Sequence, residues 1–455
     1  MSSGGSGRPP SDTARRRAVV LVANPAAPYS RATRIARSLA ELGFEVEIAA
    51  VATPGLPSEE RHGDVVLRRY SPGSAALLPA AMTAHQASGS APGSSPASET
   101  VGPRQRRHPS TVKARGGPVG LARFVLGRSR RQLHRLRRTL AWPDATRGWW
   151  RSLAAELPPA DLYHAFGINA LGGAVSLAAA ARRQGRAGAV IYDVIDLAVD
   201  SHLRQELPAP VLGLYRRREE GWARRTRAIV TVNDRIADHL ERTWHLRTRP
   251  TVLLNCPPLV ALTDPPEQLI RRAAGVPPDR RTVLFLGKLG PARGLEAAAE
   301  AVLGMGDAAL VLIGFGDWKG EMAARDADER FAGHHFILPA VPPDEVPRWA
   351  ASADASLIPV AALSLNHRLS TPNKLWESIA GGTPVVVSRD LEVMAELVER
   401  EGLGATFEGT GAAAIASGLR AVLDLPADER AAMRARVLSA ARERFHWDAA
   451  VQPYL

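Results

Sequence analysis

Short β-branched runs followed by helical patterns recur along this chain in two series, and that rhythm restricts the fold more than any other feature. Ala18-Val19-Val20-Leu21-Val22-Ala23 ends at Asn24-Pro25 and reads as a buried parallel strand with its loop. From Ser30 the spacing of Ile35, Leu39 and Leu42 predicts a helix closed by Gly43, and Phe44-Glu45-Val46-Glu47-Ile48 alternates as a second strand. Strand, helix and strand within about 30 residues make a βαβ unit, hence a mostly parallel sheet covered by helices. The rhythm resumes at Asp161-Leu162-Tyr163-His164 and continues through Ala189–Asp193 and Ala228–Val232 to Thr251–Leu254. A linker with Pro257, Pro258, Pro265 and Pro266 leads to a second series, with strands at Thr282–Leu286, Ala309–Ile313, Phe336–Leu338, Ala355–Ile358 and Pro384–Val387.

A chain of 455 residues exceeds one ordinary core, and two series predict an α/β protein of two Rossmann-like, doubly wound domains. Residues 1–17 read as a disordered tail, 18–260 as the first domain and 261–440 as the second. Within the first, 72–117 is rich in Ala, Ser, Gly, Pro and Thr, cannot bury a core, and reads as a disordered insertion. Ligands of such folds sit at the carboxyl ends of the strands, so two facing domains predict one interdomain cleft.

Two segments of the second domain carry candidate chemistry. In Ser370-Thr371-Pro372-Asn373-Lys374-Leu375-Trp376-Glu377, Pro372 suits a first helical turn and Ser370 or Thr371 can cap it, with the helix running to about Ala380 before Gly381-Gly382. A helix N-terminus offers unpaired N–H groups and partial positive charge to a diphosphate. Lys374 adds a cation where the helix dipole disfavours one, and Glu377, one turn on, can accept two hydrogen bonds from a vicinal diol such as ribose. An ordinary capped helix with an exposed lysine and glutamate fits the same residues. In Leu286-Gly287-Lys288-Leu289-Gly290-Pro291-Ala292-Arg293-Gly294, two glycines permit close backbone approach and two cations flank one loop. Only four of the 58 basic residues are lysines, and two of them, Lys288 and Lys374, fall in these segments.

As an ordered set, "LGKLGPARGLE", "LIGFG", "ADASLIP" and "SLNHRLSTPNKLWESIAGGTPVVVS" resemble the donor domain of the retaining family-4 glycosyltransferases, which have the two-domain GT-B fold. "RATRIARSLAELGFEVEIAA", "IVTVNDRIADHL" and "VLLNCP" are similar to the family's first domain, and "FHWDAAVQPYL" to its C-terminal end. The resemblance covers most of 18–70 and 158–455. It implies transfer of a sugar from a nucleotide-diphosphate sugar to an acceptor hydroxyl, with retention and with neither metal nor cofactor. It places donor binding at Gly287, Lys288, Arg293, Gly314, Ser370, Asn373, Lys374 and Glu377, and tentative catalysis at His164. It also implies that 441–455 forms a helix returning to the first domain. The sequence departs from the family pattern at Leu369 (often glutamate), at Phe166 and Gly167 (His and Asp), and at Ile195 and Asp196 (His and Glu). A catalytically silent nucleotide-sugar binder and a sugar-nucleotide epimerase share the fold and stay open as alternatives.

The net charge of +12 admits anionic partners, but no nucleic-acid reader motif appears and none is expected. The basic 104–151 region, with Trp142, Trp149 and Trp150, fits either peripheral contact with an anionic membrane or a surface helix packing its tryptophans inward. A single cysteine, Cys256, and no apolar run of about 20 residues fit a cytoplasmic protein, with the membrane's inner face as a further location. Asp326-Ala327-Asp328 and His334-His335 read as a solvated helical face and a loop rather than metal ligands. The acceptor is left as a glycan, a lipid or a small molecule.

Overall fold

The computed structural model describes residues 16–27, 29–73, 146–201, 208–316 and 318–455. The expected tail up to residue 15, nearly all of the 72–117 insertion, and 104–145 of the basic region lie outside the described residues.

The first sheet comprises β1 (Arg17–Val22), β2 (Glu45–Val51), β3 (Glu59–His62), β4 (Val65–Tyr70), β5 (Leu162–Phe166), β6 (Ala189–Val194), β7 (Ala228–Thr231) and β8 (Thr251–Val252). Its spatial order is β3-β4-β2-β1-β5-β6-β7-β8, parallel throughout except for the β3–β4 hairpin at one edge. The second sheet comprises β9 (Arg281–Lys288), β10 (Ala308–Phe315), β11 (His335–Pro339), β12 (Ala355–Ile358), β13 (Val385–Ser388) and β14 (Gly404–Phe407). Its order is β11-β10-β9-β12-β13-β14, all parallel. Central strands such as β9 and β10 are covered on both faces and read as unbroken apolar runs, which made them visible in the sequence. Edge strand β3, with the exposed sequence Glu-Glu-Arg-His, carries no such signal, nor does four-residue β14.

Strand order reverses beside β1 and beside β9, and the carboxyl ends of those strands are the places where such sheets open a crevice. An apolar cluster joins the domains there: Val20, Ile35 and Phe166 of the first pack with Ile358, Leu375 and Trp376 of the second.

The helix Ala427–Glu443 packs beside Asn373–Ala380, and the chain then crosses to the first domain through the short helix Trp447–Ala450. The Trp447 backbone N–H donates to the Pro257 carbonyl (2.9 Å) and its indole N–H to Ser38 Oγ (3.1 Å). Arg34 lies 4.9 Å over the Trp447 ring. Two tryptophans of the basic stretch point inward: Trp149 is buried and donates to the Ala50 carbonyl, and Trp150 meets Trp222 edge-on. That packing leaves Trp149 inside the first domain and Trp150 half-buried.

Gly314 pairs with Gly287 across β10 and β9, and a Cβ on Gly314 would lie 1.8 Å from the Gly287 carbonyl oxygen. Gly314→Ala is therefore expected to force these strands apart at a cost of about 1–3 kcal/mol, read as a lower urea midpoint with unchanged slope. An unchanged midpoint would contradict this close approach.

Candidate functional site

The interdomain cleft is walled on one side by Tyr29, Arg31, Ile195, Asp196 and Asn255 of the first domain. The other wall holds Gly287, Lys288, Arg293, Asn366, His367 and the run from Ser370 to Lys374 with Glu377. Seven of the eight donor-site expectations thus share one cavity. The eighth, Gly314, is buried one strand away and does not line it; its part is to let β10 approach Gly287.

Local sequence explains the second wall. Gly287 at the end of β9 has φ +106, and the space a Cβ would take is bordered by Lys374 Cε and Nζ at 3.7 Å. Gly294 has φ +72 and abuts the Pro359 carbonyl, so a side chain is excluded at the turn that delivers Arg293. The Asn373–Ala380 helix begins after Pro372, its N-cap residue, and no side chain caps it. The capping expected of Ser370 or Thr371 does not occur, because the helix starts at Asn373 with Pro372 in the N-cap position, which leaves both hydroxyls upstream of it. Ser370 Oγ donates to the His367 carbonyl (3.4 Å), and Thr371 Oγ1 accepts from Asn233 Nδ2 (3.3 Å). The uncapped first turn opens on the cleft.

Lys374 Nζ sits 4.0 Å over the Phe285 ring, and burial followed by repulsion from Arg293 lowers it to about 7. Arg293 is also lowered by burial, against the pull of Asp196. Burial raises Glu377 to about 7, with Arg34 and Lys374 opposing. Among the described residues, no carboxylate comes within 4.0 Å of Lys288, Arg293 or Lys374; Asp196 and Glu377 of the same cleft act on Arg293 and Lys374 only from beyond ion-pair contact.

His164 is placed elsewhere. It is fully buried, does not line the cleft, and both ring nitrogens are engaged. Nε2 lies 3.2 Å from Asp193 Oδ2 and Nδ1 lies 2.9 Å from the Tyr454 hydroxyl. Nε2 donates to the carboxylate, so Nδ1 accepts from tyrosine and the ring is neutral; burial lowers its pKa. Asp193 is also held by Arg31 through Nε (2.9 Å) and Nη2 (3.1 Å), while Arg31 Nη1 donates to the Leu253 carbonyl. His164, the tentative catalytic residue, thus stands apart from the cleft lining and joins the C-terminal segment to the first domain's floor.

Several residues of the site escaped sequence reasoning. Arg34 donates to Asn255 Oδ1 (2.6 Å), and Asn255 Nδ2 bonds Asn373 Oδ1, so the first domain touches the start of the donor helix. The available signal was Arg31 and Arg34 flanking Ile35 on the inward face of a helix, where charges need partners. Cys256 is buried with its thiol pushed up to about 12, a packing residue. Asp328 caps the turn Glu329–Phe331, and Asp326 lies 3.5 Å from His335, both outside the cleft.

Residues 266–444 match the family model described as glycosyl transferases group 1. A D-inositol 3-phosphate glycosyltransferase of Acidothermus cellulolyticus is 30% identical over 198 residues, 41% of this chain and 42% of that one. The chain thus matches less than half the length of that curated relative. The Thermosynechococcus elongatus sucrose-phosphate synthase superposes with a TM-score of 0.65 at 15% identity, covering 96% of each chain. Anabaena HepE in complex with UDP and glucose gives 0.59 at 13% identity, covering 96% of this chain and 98% of that one. The chain has the two-domain GT-B fold of these glycosyltransferases, and the match to glycosyl transferases group 1 falls on its second domain and the start of the segment that follows.

Proposed function

We propose that this chain is a retaining, family-4-like glycosyltransferase that moves a sugar from a nucleotide-diphosphate sugar to an acceptor hydroxyl in the cleft. The observation that carries the reading is the placement of Lys288, Arg293 and Lys374, with no carboxylate in ion-pair contact among the described residues, around the cleft into which the uncapped Asn373–Ala380 helix opens. A diphosphate satisfies all of them at once. Glu377 lies one turn along and takes the ribose diol, with Gly287, Ser370 and Asn373 completing the donor side. During transfer the bond from the anomeric carbon to the diphosphate oxygen breaks. The acceptor oxygen bonds to the same face, and its proton passes to the departing phosphate oxygen. Negative charge grows on the diphosphate, where the fixed cations and helix N–H groups stabilise it without a metal ion.

A nucleotide binder without transferase activity is favoured by one observation, the engagement of both His164 nitrogens away from the cleft. It would bind donor and release no sugar. Cytoplasmic location and contact of the basic region with the membrane's inner face belong to the same reading; no helix among the described residues is long and apolar enough to cross a membrane.

A panel of UDP-, GDP-, ADP- and TDP-sugars is expected to contain at least one that raises the melting temperature, and Glu377→Gln should blunt that rise. No response to any of them sinks the reading. Affinity for that nucleotide sugar is expected to peak near pH 7. A diphosphate ester holds Lys374 protonated, so affinity falls above its free pKa of about 7. The diol needs Glu377 ionised, so affinity also falls below about 7. Losses of about tenfold by pH 5 and by pH 9 follow from linkage, and a flat profile by calorimetry would contradict these assignments.

A further inference from the structure

One corner of the first-domain wall holds polar atoms that the donor reading does not use. Tyr29 is only 8% exposed and lines the cleft, yet its buried hydroxyl has no hydrogen-bond partner among the described residues. The ring is fixed edge-on to Phe166, with centroids 5.3 Å apart. A buried, unpaired hydroxyl is costly unless a ligand completes it. On the same wall stands Asp196, in the loop that leaves β6. Asn366 of the second domain, itself buried, donates through Nδ2 to Asp196 Oδ1 (2.9 Å) and accepts the Leu197 backbone N–H on its own Oδ1 (2.7 Å). One carboxylate oxygen is thereby fixed, and Oδ2 has no hydrogen-bond partner among the described residues.

Resting on the glycosyltransferase reading, we propose that Tyr29 and Asp196 form the acceptor subsite and bind adjacent hydroxyls of an uncharged polyol or sugar. The Tyr29 hydroxyl donates to one acceptor oxygen, and Asp196 Oδ2 accepts from its neighbour. A carboxylate at this point repels a phosphate-bearing acceptor group and favours a neutral one. Asn366 is a positioning residue. Because it comes from the second domain, the subsite is complete only when the two domains are together.

The test uses the full chain and the nucleotide sugar that binds best in the panel, with myo-inositol and glucose as neutral acceptor probes and their phosphates as charged ones. Nucleotide release is expected to rise with a neutral probe. In Tyr29→Phe and in Asp196→Asn, the KM for that probe should rise about tenfold or more; nucleotide-sugar affinity stays within twofold in Tyr29→Phe and does not weaken in Asp196→Asn, which removes a negative charge acting on Arg293. Asn366→Ala should raise the same KM, and combining it with Asp196→Asn should add little, as a residue acting through Asp196 requires. Melting temperatures close to wild type exclude misfolding as the cause; should Asp196→Asn fail to fold, Tyr29→Phe alone decides. An unchanged probe KM, a parallel loss of nucleotide affinity, or a preference for the phosphorylated probes overturns the proposal. Nucleotide binding without stimulation by either neutral probe overturns it while leaving the donor reading intact. No nucleotide binding by the wild type brings down both.

Discussion

Arg293→Ala is expected to lower kcat for sugar transfer about 100- to 1,000-fold, and to leave the protein as stable as the wild type or slightly more so. Under the proposed transfer, the kinetic loss follows from the place of the guanidinium in the cleft, where charge would build on the leaving diphosphate and a preorganised donor is worth that much. The stability result follows from what surrounds it in the free protein. Arg293 has no carboxylate within ion-pair distance among the described residues, is depressed by burial, and pushes down its neighbour Lys374. Removing it relieves a repulsion that the fold carries only for its ligand. Lys288→Ala should act in the same direction, since Lys288 also lines the cleft without a counter-ion. Steady-state kinetics and a urea titration on the same preparation decide the matter. A kcat within threefold of wild type, or a marked loss of stability, would show that Arg293 is an ordinary structural residue.

Arg31→Leu should destabilise the chain by about 3–5 kcal/mol, the largest stability effect expected of any single substitution here. Arg31 and Asp193 are both essentially excluded from solvent, and the pair is bidentate. Without the guanidinium, Asp193 keeps only His164, whose own protonation burial opposes. The Leu253 carbonyl loses its donor as well. Replacing both charges, as Arg31→Leu with Asp193→Leu, should recover a large part of the loss, because the cost lies in the stranded charge rather than in the missing attraction. If the double variant is no better than the single one, the ion pair contributes stability of its own. Either way the effect belongs to the floor beneath the cleft, and Tyr454 bonding His164 extends it to the end of the chain.

Legibility followed physical range. The central strands were visible because burial on two faces leaves an apolar run, and the donor segment because Pro372, Lys374 and Glu377 are spaced by a helix. Edge strand β3 was not, since a charged edge looks like a loop. The cap was misassigned for a different reason. Ser370 and Thr371 have the right chemistry for it, but the helix begins at Asn373 with Pro372 as its N-cap, and Thr371 Oγ1 accepts instead from Asn233. Asn233 lies 138 residues away from Thr371, beyond the reach of any local pattern.

The sequence alone determined two α/β series and a cationic, helix-started segment in the second, because periodicity, turn residues and charge spacing are local properties. Only the tertiary structure decided which of those groups face one another. It gathered Lys288, Arg293 and Lys374 at one uncapped helix, withdrew His164 behind Asp193 and Tyr454, and used Asn366 to hold Asp196 across the domain boundary. Those pairings depend on strand order and on crossings that bring residues 170 or 290 positions apart into contact, which no local spacing encodes.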